Sequence, residues 1–289
     1  MVLFWGVNWP IMKLGVQHMP PLWFAATRMF LGSLFLFGLL AFQGRLRLPA
    51  RSDRKILVTI AIFQISLPTA LMHTGLLFLE AGRSAVLVFT MPLWVAPLGF
   101  FVLKERISVI KLAGLALGLA GVAVLFNPFA FDFTNRSLLI GNSFMLIASF
   151  SFAIAIILVR SNPGVAPIIQ LVPWQLLLSS VLLAITALSI EGTPEIRWSA
   201  SLIAIMAYNG PIASGFCFWA YLTVTSSLSA MNTAIGSMGI PVIGVVSSAL
   251  ILGESLTLNV ISGLVLILLG VLAVTLNDFS RSEPSNPLK

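Results

Sequence analysis

What this sequence lacks most is charge. Asp, Glu, Lys and Arg make up 9% of its 289 residues, against roughly 25% in soluble domains. That cannot cover the surface of a water-soluble fold of this size. With 58% hydrophobic residues and a mean hydropathy of +1.05, the chain needs lipid around most of its surface and reads as an integral membrane protein. Cysteine is nearly absent too: Cys217 stands alone, which excludes an internal disulfide. The two histidines, His18 and His73, come without an HExxH motif, paired aspartates or a GxSG serine. An intramembrane enzyme is therefore a distant alternative, and no catalytic residue, metal or cofactor is expected. Neither GxxxxGK[ST] nor GxGxxG occurs, so no nucleotide site is expected.

The net charge of +7 does not point to nucleic acid. Five of the sixteen Lys and Arg sit in one short loop, "RLRLPARSDRK": Arg45, Arg47, Arg51, Arg54 and Lys55. A short basic loop between apolar runs is the mark of a cytoplasmic loop. The apolar runs fall at 2–18, 22–42, 55–79, 83–103, 107–126, 138–160, 166–190, 200–222, 229–252 and 257–277. Each has about the length needed to cross the bilayer as a helix. The expected fold is all-α, with ten transmembrane helices and no soluble domain between them. With the N-terminus inside, the cytoplasmic side collects ten Lys and Arg and the outer side three, so both termini are expected in the cytoplasm. No cleavable signal peptide is visible, and the short flank before the first run is what the loss of a few N-terminal residues would leave.

The halves echo each other. Shifted by 149 positions, "PLWVAPLGFFVLKER" meets "PVIGVVSSALILGES": Pro92 falls on Pro241 and Glu105 on Glu254. Gly114 and Gly121 fall on Gly263 and Gly270, and Ala81 and Ala85 on Ala230 and Ala234. This is an internal duplication. Five helices per half force the second copy to insert upside down. Inverted repeats of this kind are an architecture of secondary transporters, with substrate near the midplane. The halves are expected at 1–127 and 138–277, followed by a short cytoplasmic tail at 278–289.

"FWGVNWPIMKLG" resembles the first-helix signature of the EamA-type drug/metabolite transporter superfamily. "PLWVAPLGFFVLKERISVIKLAGLALGLAGV" and "PVIGVVSSALILGESLTLNVISGLVLILLGV" are similar to that family's pattern of a proline, an apolar run, a glutamate at the helix end and a glycine-bearing next helix. "FTMPLW" resembles the aromatic amino acid exporter branch. The second half departs from the first: Ile243 stands opposite Trp94, and Gly253 and Ser255 opposite Lys104 and Arg106. The resemblance implies a bacterial inner-membrane protein that exports metabolites, amino acids among them.

Polar groups inside a bilayer are costly, so each is a candidate. His73 shares one helix face with Thr69 and Ser66; that stripe is either a cavity wall or a set of interhelical hydrogen bonds. Trp94, with Met91 three residues before it, either packs between helices or lines an apolar pocket. Asn8, Trp9 and Lys13 lie on the first helix; Lys13 either attracts a carboxylate or snorkels outward. Arg28 is similar and leans further toward a structural role. Tyr208, Asn209 and Trp219 on the eighth helix, and Asn232 and Ser237 on the ninth, complete the substrate-binding candidates. Pro68, Pro92, Pro97, Pro211 and Pro241 each free a carbonyl inside a helix and are candidate hinges. No Asp or Glu lies mid-span, so His73 is the best titratable candidate if export is proton-coupled, followed by Lys13.

The reading is a secondary exporter of small amphipathic metabolites, most simply amino acids with aromatic or bulky apolar side chains, working by alternating access. Its partners are a small-molecule substrate and the lipid bilayer. The alternatives are an uncoupled facilitator and an exporter of drugs or other metabolites.

Overall fold

The structure is a computed structural model that describes residues 1–104, 108–126, 135–161, 168–221 and 239–282. Ten helical runs follow one another along them: α1 Val2–Gly15, α2 Pro21–Phe42, α3 Arg51–Gly75, α4 Ala81–Leu103, α5 Val109–Phe126, α6 Arg136–Arg160, α7 Ile168–Ile190, α8 Ala200–Tyr221, α9 Gly239–Leu252 and α10 Leu258–Ser282. Among the described residues there is no strand. Six of these runs, α2, α3, α4, α6, α7 and α8, are long and apolar enough to cross a membrane. The fold is the expected all-α membrane architecture.

Several ends differ from the expected ones, and hydrogen bonds explain two of them. α3 stops at Gly75 rather than 79. The Lys13 ammonium of α1 donates to the carbonyls of Leu76 and Leu79, the latter at 2.7 Å, and so holds the chain beyond the helix end. α4 starts at Ala81 rather than 83. There the Glu254 carboxylate accepts the N–H groups of Ala81 at 2.6 Å and Gly82 at 2.9 Å, two of the donors a helix start leaves unpaired. α1 ends at Gly15 rather than 18, and α10 continues to Ser282 rather than 277.

Two helices share a local irregularity of the backbone. α3 widens into a π-helix at Ile60–Ser66 and α8 at Asn209–Phe216, starting 149 positions apart. Proline explains part of this local form. A π turn bonds each N–H to a carbonyl five residues back, but Pro68 has no N–H to offer Phe63. The Ser151 hydroxyl of α6 donates to the Phe63 carbonyl instead, at 2.7 Å. The Ala61 carbonyl takes two hydroxyls, from Ser66 at 2.7 Å and from Ser179 of α7 at 3.0 Å. Hydroxyls on neighbouring helices thus satisfy backbone groups that lipid cannot. α4 breaks at Phe89 and Thr90 just before Pro92, and the Thr90 hydroxyl donates to the Leu87 carbonyl at 2.7 Å. Of the candidate hinges, Pro68, Pro92 and Pro211 sit at such interruptions, Pro97 inside a regular stretch, and Pro241 in the first turn of α9.

Contacts between helices recur in corresponding pairs along the chain. α1 lies on α9 as α6 lies on α4, α3 on α6 as α8 on α1, and α2 on α8 as α7 on α3. α2 with α7, α4 with α9 and α5 with α10 are pairs of mates. In the last pair, Gly121 of α5 abuts the Gly263 carbonyl, and Gly270 of α10 abuts the Gly114 carbonyl. Each glycine of one matched pair therefore meets a glycine of the other pair across the seam. Since lipid tails are as apolar as Leu, such close approach and interhelical hydrogen bonds do the work that hydrophobicity does in water.

Candidate functional site

Four helices converge on one buried arginine. Arg28 lies on α2, 4% exposed. Its Nε donates to the Ser214 hydroxyl in the π segment of α8 at 3.0 Å, and its Nη1 donates to the Met12 thioether of α1 at 2.7 Å. Nη1 also lies 3.3 Å from His73 Nε2 of α3. His73 Nδ1 is 2.7 Å from the Thr69 carbonyl. A carbonyl can only accept, so Nδ1 carries the proton and Nε2 offers a lone pair to Arg28. His73 is thereby fixed as a neutral acceptor. The Phe24 ring, one turn before Arg28, lies 5.3 Å from the imidazole. Three of the four helices come from the first half and α8 from the second.

Among the described residues, the hydrogen-bond partners of Arg28 are all neutral. Guanidinium groups buried away from water are ordinarily matched with carboxylates. Here the cation rests on a hydroxyl, a sulfur and an imidazole.

The other candidates fall in several places. Asn8 and Asn209 are buried, and the Oδ1 of each lacks a hydrogen-bond partner. Tyr208 donates its hydroxyl to the Phe4 carbonyl at 2.7 Å, and Trp5 donates its indole N–H to the Ala213 carbonyl at 2.9 Å, which ties α1 to α8. Trp9 is buried at the α1–α9 seam beside Gly244. Trp94 stands in the α4–α6 seam, edge-on to Phe150 at 5.7 Å, its buried N–H without a partner; Met91 is half-buried on the same helix. Trp219 packs its ring 6.1 Å from Phe216. Lys13 is engaged by the two carbonyls just beyond α3, of Leu76 and Leu79. Asn232 and Ser237, with Gly236, Glu105 and Arg106, lie outside the described residues.

The structure thus brings His73 to Arg28, sets Asn8 and Asn209 on the helices whose Met12 and Ser214 bond Arg28, and leaves Trp94 and Met91 in a different seam. Met12 and Ser214 were not singled out by sequence, because a thioether and a hydroxyl carry no mark of their long-range partner.

Where α3 passes to α4, polar groups gather at one end of the bundle. Burial pushes the Glu80 carboxyl above its ordinary value of 4.5; Glu254 adds to the rise, and Arg83 and Lys13 oppose it. Glu191, at the same end, accepts the N–H groups of Leu22 at 2.9 Å and Trp23 at 3.2 Å and closes the start of α2. Among the described residues no group of three or more His, Cys, Asp or Glu could hold a metal ion.

Comparison with known proteins accords with this architecture. One relative, the uncharacterized transporter YvbV of Bacillus subtilis, is 31% identical over 283 residues, 98% of this chain and 91% of its own. A second from that organism, the uncharacterized transporter YoaV, is 29% identical over 97% of this chain and 96% of its own. A probable amino-acid metabolite efflux pump of Salmonella typhimurium is 29% identical over 93% of this chain and 90% of its own. A solved crystal structure shares the fold, with a TM-score of 0.66 at 17% identity over 98% of this chain and 97% of that one. The sequence profile of the EamA-like transporter family matches twice, at residues 1–127 and 139–276. The chain belongs to the EamA-like transporter family, and it is a transporter rather than an enzyme.

Proposed function

We propose that this transporter exports small amphipathic metabolites, amino acids first among them, by alternating access between two inverted five-helix halves. The observation that carries the reading is the Arg28 junction. It is a charged group inside the second span, bonded to α8 of the opposite half. Charge is retained within a bilayer where it serves a pathway or a partner, and among the described residues Arg28 hydrogen-bonds no anion. The relatives named as amino-acid metabolite efflux pumps support the substrate class. Buried Trp9 and Phe24 offer apolar surface for a bulky side chain. The protein sits in a bacterial-type inner membrane with both termini on the cytoplasmic side, a placement supported by the ten-to-three bias of Lys and Arg. Residues 1–127 and 138–277 act as the two moving units, and the interrupted helices at Pro68, Pro92 and Pro211 absorb the bending between them.

Uncoupled export is the better variant of this reading. Asp and Glu are missing from the mid-span positions, and His73 is held neutral by its acceptor role. The test is efflux of single labelled amino acids from proteoliposomes containing the purified protein. Saturable efflux that an imposed pH gradient does not accelerate is the expected result. No saturable efflux of any amino acid sinks the proposal, and acceleration by the gradient sinks the uncoupled variant.

A further inference from the structure

Two deficits of opposite sign occur on helices that meet at Arg28. Arg28 is a buried cation that, among the described residues, bonds only neutral groups. Asn8 and Asn209 each bury a carbonyl oxygen that accepts nothing. The Asn209 orientation is chemically fixed, because its amide N–H donates to the Ile205 carbonyl at 3.1 Å and so turns Oδ1 away.

Helix geometry sets the spacing. Trp5, Asn8 and Met12 follow one another at three and four residues along α1 and form one stripe. Trp5 at one end of that stripe bonds α8, and Met12 at the other bonds Arg28. Asn8 lies between them. On α8, Asn209 and Ser214 are one π turn apart, and Ser214 also bonds Arg28. Each unpartnered amide oxygen is therefore about one turn, roughly 5 Å, from a residue that touches the guanidinium.

We propose that these groups form the receptor for the head group of an α-amino acid. Arg28 binds the carboxylate, and the Asn8 and Asn209 oxygens accept from the ammonium. The chemistry fits on both sides. A guanidinium presents parallel N–H donors that match a carboxylate, and amide oxygens are pure acceptors suited to an ammonium. Met12 holds the site closed in this structure: its flexible thioether is a weak acceptor standing where a carboxylate oxygen binds more strongly. His73 is a positioning residue that fixes the guanidinium through Nη1. The inference rests on the reading of the protein as an amino acid exporter and adds that recognition is of the zwitterion.

The experiment is competition in proteoliposomes that export labelled L-phenylalanine and L-leucine. The competitors are unlabelled phenylalanine, phenethylamine, which lacks the carboxylate, and 3-phenylpropanoate, which lacks the ammonium. The wild type is expected to discriminate against both incomplete analogues by at least about tenfold, the loss of one charge-assisted contact. Arg28→Lys should lose about tenfold in transport, and Asn8→Ala with Asn209→Ala should let 3-phenylpropanoate compete almost as well as phenylalanine. Export of phenylalanine with equal competition by phenethylamine overturns the head-group assignment and leaves the export function standing. So does an Arg28→Lys variant that transports within twofold of wild type. No export of either amino acid by the wild type overturns this proposal, and a full set of amino acids then decides the broader reading. Discrimination by the wild type needs no variant, so misfolding cannot hide the answer.

Discussion

Glu254, at the far end of the chain, closes the helix that begins at Ala81. Its carboxylate takes the Ala81 N–H at 2.6 Å and the Gly82 N–H at 2.9 Å. The contact joins α4 of the first half to the segment after α9 of the second, and it pairs an anion with the positive end of a helix. Glu254→Ala orphans both donors and should cost about 1–2 kcal/mol. Glu254→Gln keeps one acceptor and should cost less. Thermal unfolding in detergent checks the order. Equal stability of Glu254→Ala and wild type would show that water serves these N–H groups equally well.

Lys13 does the converse at a helix end of opposite sign. Its ammonium donates to the carbonyls of Leu76 and Leu79, where the α3 dipole is negative. Lys13→Met should therefore lower stability by about 1–3 kcal/mol, the range for a hydrogen bond to a charged group. The KM for amino acid efflux should stay the same. A raised KM with unchanged stability would instead assign Lys13 to the substrate.

Glu80 supplies a pH test outside the spans. Burial and then Glu254 raise its folded value above 4.5. A carboxyl raised in this way contributes stability that is fully present below its unfolded value and lost as pH rises through its folded value. At neutral pH the ionised Glu80 thus opposes folding. Glu80→Gln, always neutral, should melt higher than wild type at neutral pH, and the gap should close as pH falls toward 4.5. Melting curves of both proteins across that range check it; a lower melting temperature for the variant at neutral pH would reverse the sign.

The echo between the two halves of the sequence is legible because it rests on scarce residues at fixed spacing. A proline and a glutamate thirteen apart, Pro92 with Glu105 and Pro241 with Glu254, and two glycines in register survive any uncertainty about helix ends. The paired π segments were not legible. They begin at Ile60 and Asn209, chemically unlike residues, and their prolines sit at different offsets. Arg28 stands out in the sequence, but its partnerships do not. Its partners Met12, His73 and Ser214 lie on three other helices, and only the fold brings them together. Lys13 bonds backbone carbonyls, which every residue carries, so no pattern of side chains could have named its partner.

The α5–α10 seam gives a sharp test of close helix packing. A Cβ on Gly270 would lie 2.6 Å from the Gly114 carbonyl and 2.6 Å from the Gly118 amide nitrogen, backbone atoms that no side-chain rotation can move. The two helices must separate to admit it, and the mated contact of Gly121 with Gly263 lies along the same seam. Gly270→Ala should therefore destabilise the protein by about 1–3 kcal/mol, the usual cost of overpacking a close contact. Gly38 on α2 provides the control, since a Cβ there meets nothing within 4 Å. Gly38→Ala should be neutral or stabilising by up to about 1 kcal/mol, because alanine favours the helix over glycine. Thermal unfolding of the two variants side by side separates the effects. If Gly270→Ala is as benign as Gly38→Ala, the two helices are not held at the distance that brings the duplicated glycines into contact.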